Sequence, residues 1–122
     1  MSNNIELSLL YDFYGSLLND AQRKVIQLYV NDDLSLSETA EILNISRQGV
    51  RDTLKRASSK LFFYERKLGL YKQTKQNREN LSKIIENADI IDESIDDEEL
   101  KVKIDEIKII AQDFLKAEDT DE

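Results

Sequence analysis

An all-α chain is what this sequence predicts, and three observations predict it. Its 122 residues include no proline and three glycines, so little interrupts a helix. Apolar side chains recur at steps of three and four rather than in alternation. Helix start signals, a Ser or Asn followed three residues later by Glu or Gln, stand at Asn19 and Ser35. The length suits one small domain with an appended segment, and the expected division is 1–69 and 70–122.

The first helix is expected over residues 5–18, with Leu10, Phe13 or Tyr14, and Leu17 on a wide apolar face. Gly15 inside it costs on the order of 1 kcal/mol relative to Ala unless another backbone packs close. Asn19, with Gln22, starts a second helix that places Ala21, Val25, Leu28 and Tyr29 on one side and ends near Asn31. Arg23 and Lys24 fall on its exposed side, within reach of phosphate or simply solvated. Asp32 and Asp33 make a short acidic connection.

The next segment, SLSETAEILNISRQGVRDTLKRASSKL (35–61), is the most specific part of the chain. Ser35 and Glu38 form a capping box, and the third helix then turns Leu36, Ala40 and Leu43 inward. Ala40 is small enough for a second helix to cross closely. Asn44 stands where the chain must leave the helix, and asparagine enters the left-handed region at modest cost. Ile45 returns to the core and Ser46 caps the fourth helix. There Val50, Leu54, Ala57 and Leu61 line one side, and Arg47, Gln48, Arg51 and Lys55 line the other. A helical hairpin with a hydrated basic face would share some of these features. The coincidence of small residue, turn, cap and apolar step favours a helix-turn-helix, with helices two to four as a tri-helical unit.

The fourth helix continues through LFFYERKL until Gly69 ends it as a left-handed cap, with Leu70 making the accompanying apolar contact. Phe62, Phe63 and Tyr64 read as packing rather than as a stacking platform for bases. Residues 71–87 form a fifth helix, basic at Lys72, Lys75 and Arg78 and apolar at Leu81, Ile84 and Ile85. ADIIDESIDDEEL (88–100) reads as an acidic linker without the glycine of a calcium loop. From Asp97 to Lys116, Leu100, Ile104, Ile107, Ala111 and Phe114 step by four and three, a seam that needs an apolar partner. That partner is either the first and fifth helices or a second subunit. The last six residues, AEDTDE, are expected to fray.

Function is bounded by what is missing. Without cysteine or histidine there are no disulfides, no usual zinc ligands and no imidazole or thiol catalysis. Asp92, Asp96 and Glu99 are of a type that holds Mg²⁺, but no nucleophile, base or phosphate loop accompanies them, so no enzyme, metal or cofactor is expected. The N-terminus lacks a signal peptide's pattern and no run is long enough to span a bilayer, which predicts a soluble cytoplasmic protein with no membrane partner. The sequons at Asn44 and Asn80 read as chance. Charge is segregated: residues 1–33 carry −3, residues 34–83 carry +6 and residues 84–122 carry −11, within a net charge of −8. A basic middle between acidic ends allows nucleic-acid binding despite the overall sign.

On LYDFYGSLL, AQRKVIQLYV, SRQGVRDTLKR and KLGLY, residues 7–83 resemble the YlxM family, small proteins of Gram-positive bacteria and mycoplasmas associated with DNA binding. The core is also similar to region four of bacterial sigma factors, whose recognition helix reads promoter DNA in the major groove. The resemblance implies a helix-turn-helix transcriptional regulator with an appended C-terminal helical segment. Neighbouring genes in the family also imply a link to signal recognition particle components. Where relatives often carry Tyr after the valine of the recognition helix, this chain has Arg51, so base preference does not transfer there. Arg47, Gln48, Arg51 and Lys55 are then expected toward base edges or nearby phosphates, Ser46 and Ser37 on phosphate, and Arg56 and Lys60 along the backbone. Asp52 would accept from cytosine or pair with Arg56. DNA is the expected ligand and a homodimer the expected state. The rival reading is a protein or RNA–protein interaction module for the signal recognition particle, with the acidic tail as its dock.

Overall fold

A computed structural model describes residues 2–120, and the chain is helical nearly throughout. Helix α1 (Ser2–Tyr14) tightens into a 3-10 turn at Gly15–Leu17, and α2 (Asp20–Val25) widens into a π-helical segment at Ile26–Asn31. Helices α3 (Leu36–Leu43) and α4 (Arg47–Leu68) follow, then α5 (Leu70–Ser94) and α6 (Glu98–Thr120). No strand occurs among the described residues. Contacts divide the chain into two compact units, one ending at Tyr71 and the other beginning at Lys72.

In the first unit two buried clusters share Leu54 at their border. Leu7, Leu10 and Tyr14 of α1 meet Leu18, Ile26, Val30, and Ala57 and Leu61 of α4 in the larger one. Val25, Ala40 and Val50 form the smaller one, where α2, α3 and α4 meet. The apolar stripe from Val50 to Leu61 thus packs one continuous side of α4, as its spacing requires.

Two departures from regular α-helix change which residues are inside. Leu17 is half exposed and Leu18 takes the core position, because the 3-10 turn alters the angular step after Tyr14. Glycine is needed at that turn for a side-chain reason: a Cβ on Gly15 would lie 2.8 Å from the Tyr11 ring. The Asn19–Gln22 capping box forms in both directions, but Ala21 is exposed and Gln22 is buried. The π segment, marked by Asp32 N–H donating to Gln27 O at 2.9 Å, widens the turn so that Ile26 and Val30 join Val25 inside. Leu28 and Tyr29 are left partly buried.

Gly69 ends α4 at φ 63° with its N–H on Glu65 O. Leu70 is 45% exposed rather than tucked under the cap, and a polar clasp closes this corner instead. The Tyr14 hydroxyl, on a fully buried side chain, donates to Glu65 Oε1 at 2.6 Å and accepts from Leu70 N–H at 3.0 Å. Glu65 Oε1 also accepts from Tyr71 N–H at 3.1 Å. Burial first, and the Glu65 carboxylate beside it second, push the Tyr14 phenol above its ordinary range. The clasp satisfies the opening N–H groups of α5, Leu70 from the end of α1 and Tyr71 from α4, where no intrahelical acceptor exists.

In the second unit the expected acidic linker is shorter than its composition suggests. Helix α5 runs to Ser94 and only 95–97 are non-helical, since Leu81, Ile85, Ala88 and Asp92 continue one side of the helix. Opposite charge across the pair offsets Asp89 and Asp92. Lys108 Nζ bonds Asp89 at 2.8 Å, which raises the Lys108 pKa, and Lys101 lies 3.7 Å from Asp92 and donates to its carbonyl. These pairs make α5 and α6 an antiparallel hairpin. Asp97 caps α6 by accepting from Glu99 and Leu100 N–H. The helix extends to Thr120, and the rest of the end expected to fray, 121–122, lies outside the described residues.

Tyr14→Phe removes the hydroxyl while keeping the ring, so it isolates the clasp. It should cost about 1–3 kcal/mol, because Leu70 N–H loses its acceptor and Glu65 one donor. Urea denaturation of the two proteins measures this as a lowered midpoint at unchanged slope.

Candidate nucleic-acid interface

The turn between α3 and α4 is built from three local devices. Ser35 accepts from Glu38 N–H at 3.0 Å and Glu38 returns a carboxylate to Ser35 N–H at 2.9 Å, so α3 begins with both bonds of a capping box. The Ser35 backbone donor holds the Glu38 carboxyl below its usual range. Asn44 then leaves the helix at φ 57°, ψ 46°, in the left-handed region, while Ile45 N–H closes on Ala40 O at 3.0 Å. Ser46 starts α4 by accepting from Gly49 N–H at 2.9 Å.

Burial at the crossing fixes how α4 is turned. Ala40 is 6% exposed, and Val50 and Thr39 are fully buried. Thr39 was not singled out by sequence, and its hydroxyl has no hydrogen-bond partner among the described residues. Ile45 is 43% exposed, resting beside Gly49 instead of returning fully to the core.

With the Val50–Leu61 side inward, the angular positions of the remaining residues follow. Gln48, Asp52, Lys55 and Ser59 occupy the middle of the outward face. Arg47 and Arg51 form one edge, and Arg56, Lys60, Phe63 and Lys67 form the other; all of these are exposed. Shallow clefts flank the helix. Ser35, Ser37, Glu38, Arg47 and Arg51 line one together with Tyr29. Gln22, Asp52, Lys55, Arg56, Ser59 and Lys60 line the other. The expected contact residues are therefore sorted into two groups, Ser37 with Arg47 and Arg51, and Lys55 with Arg56 and Lys60.

Several side chains differ from expectation. Asp52 accepts from Gln48 Nε2 at 3.0 Å rather than from Arg56, and Gln48 in turn accepts from Arg51 at 3.4 Å. A carboxylate thus sits in the middle of the outward face, tied to an arginine through an amide. Arg23 is occupied by Asp20 and by Leu18 O, which turns it from the phosphate contact considered for it. Lys60 leans on the buried Gln22, 3.4 Å from Oε1. Phe63 is 45% exposed, unlike Phe62 and Tyr64, and carries Arg66 and Lys67 at 5.9 and 5.8 Å from its ring centroid. Its place was legible in the sequence: it steps with Arg56, Lys60 and Lys67, not with Val50–Leu61.

Comparison with known proteins agrees with this architecture. The model of a family described as "Putative helix-turn-helix protein, YlxM / p13 like" matches residues 1–107. A UPF0122 protein of Thermoanaerobacter sp. (strain X514) is 50% identical over 101 residues, which cover 83% of this chain and 86% of that protein. One from Caldanaerobacter subterraneus subsp. tengcongensis is 54% identical over 80 residues, 66% and 68% of the two chains. A third, from Clostridium kluyveri, is 45% identical over 108 residues, 88% and 94% of the two chains.

The turn's backbone geometry makes a discriminating test. Asn44→Gly should leave stability within a few tenths of a kcal/mol, whereas Asn44→Ala should cost about 1–2 kcal/mol, because only the second forces a Cβ without asparagine's local bonding into the left-handed region. Ser46→Ala should cost ~1 kcal/mol through the lost cap. Thermal unfolding of the three variants ranks them.

Proposed function

Because the chain belongs to the YlxM/p13-like family of helix-turn-helix proteins, we propose that it is a non-catalytic DNA-binding protein that presents α4 to the major groove. The observation that carries this reading is the distribution of side chains on α4. In a chain of net charge −8, the exposed side of one helix gathers Arg47, Arg51, Lys55, Arg56 and Lys60 around Gln48. Charge of that sign concentrated on one element attracts a polyanion, while Arg and Gln are the residue types that bond bidentately to guanine and adenine edges.

The roles divide by position. Gln48 and Lys55, central on the face, approach bases, with Arg47 and Arg51 beside them. Ser46 and Ser37 donate to phosphate at the starts of α4 and α3, and Arg56 and Lys60 follow the backbone. Asp52 accepts from a cytosine amine once Gln48 turns to the DNA. The binding domain on this reading is 1–69. A cytoplasmic role in transcription regulation, with a homodimer on a two-fold operator, completes the proposal. Among the described residues no helix is long and apolar enough to cross a membrane.

A second reading is favoured by the net −11 of residues 84–122. Such a segment repels DNA and suits a basic partner, in keeping with an interaction module of the signal recognition particle. The two readings separate on α4, since a dock on the acidic segment is indifferent to Arg47 and Arg51.

Titration of the full chain against random-sequence duplexes, followed by selection of bound sequences, tests the leading reading. Affinity should fall with salt at a logarithmic slope of about −4.5, if five cations each displace nearly one counterion. Arg47→Ala with Arg51→Ala should weaken a selected site at least about tenfold and flatten its preference, each lost base contact being worth ~1–3 kcal/mol. Binding unchanged by this pair, or lacking salt dependence, would contradict the assigned face.

A further inference from the structure

The α5–α6 hairpin leaves half of its apolar pattern uncovered. In α5, Leu81, Ile84, Ala88 and Ile91 step by three, four and three. In α6, Leu100, Ile104, Ile107, Ala111 and Phe114 step by four and three. From Leu81 onward, the residues partly or fully covered are Leu81, Ile85, Ala88 and Asp92 on α5, and Lys101, Ile104, Lys108, Ala111 and Leu115 on α6. Each apolar stripe is therefore rotated away from the contact line between the helices. In both helices the rotation has the same sense, and in an antiparallel pair that opens both stripes on the same side. Ile84, Ile91, Leu100, Ile107 and Phe114 consequently share one face, each 45–59% exposed.

Charge is arranged to keep that face approachable. Residues 84–122 carry fifteen carboxylates and four cations. Asp89, Glu93 and Asp105 nevertheless fall on the opposite side of the hairpin, and Asn80 and Asn87 edge the apolar side. Helical position puts Lys103 of α6 at the border of this face, and it lies 3.8 Å from Glu106 of its own helix. A segment this acidic would drive a second copy away if its carboxylates were spread evenly.

We propose that this face is the homodimer interface, two hairpins packing their uncovered stripes together as a four-helix bundle. Stripes of period 3.5 on antiparallel helices are the seam of such a bundle, and one hairpin supplies half of its core. Five side chains at about half exposure offer on the order of 500 Å² per copy, so pairing removes about 1,000 Å² from water, the size at which a specific interface begins. An isologous contact needs a surface that complements itself, and an apolar, nearly uncharged face meets that demand where the rest of the hairpin does not. The inference gives the homodimer of the preceding proposal its surface, and it holds whether or not the ligand is DNA.

Sedimentation equilibrium of the full chain without nucleic acid tests it. The expected mass is twice the 14.2 kDa of one chain. Ile107→Asp and Phe114→Asp should each raise the dimer Kd at least about thirtyfold, as for an interface hot spot, with the far-UV CD helix signal retained. Ile107→Gln serves if the Asp variant loses helix, and Ile109→Asp, on the other side of α6, should leave the dimer intact. A monomer at about 100 μM would overturn the proposal and give the face to another partner or to the rest of the chain. A dimer that survives in both the Ile107 and the Phe114 variants would overturn it by placing the contact elsewhere.

Discussion

The close packing of Ala40 against Val25 and Val50 is the constraint from which the remaining features of the first unit follow. A larger side chain at 40 would push α3 and α4 apart, and Val50 would lose its burial. With Val50 fixed inward, helical geometry leaves no freedom over α4: Leu54, Ala57 and Leu61 must continue into the core. The cations then have to stand outside. The outward basic face is thus a consequence of core packing at one small residue, reinforced by a left-handed Asn44 that sets the angle at which α4 leaves the turn.

How much of this was legible in sequence depended on whether a signal was local. Capping boxes at Asn19 and Ser35, the left-handed Asn44 and Gly69, and the Ser46 cap are each decided by a few neighbouring atoms, and all of them form. Register inside α1 and α2 was not legible, because the 3-10 and π segments respond to packing between helices rather than to composition. That is why Leu18 replaces Leu17, and why Gln22 is buried where Ala21 was expected. The Tyr14–Glu65 clasp joins residues 51 apart, a pairing no local pattern contains. For the candidate interface, periodicity identified the outward residues of α4. The Arg51–Gln48–Asp52 chain depended on rotamers that periodicity does not specify.

The second unit shows how composition misleads when charges are paired. Residues 88–100 look like a hydrated linker, yet Asp89 and Asp92 each find a lysine of α6 and the helix continues through them. Asp89, Glu93 and Asp105 stand on one side of the hairpin, and Ile84, Ile91 and Ile107 on the other. The same segregation operates along the whole chain, where the basic helix and the acidic hairpin belong to separate units.

The proposed function requires that the outward face of α4 meet nucleic acid. Mapping backbone amide shifts of the isotopically labelled full chain on addition of a selected duplex tests it most directly. Changes should cluster at Ser37 and from Ser46 to Lys60, with residues 84–114 of the hairpin left in place. Changes concentrated on α5 and α6, with α4 silent, would contradict it.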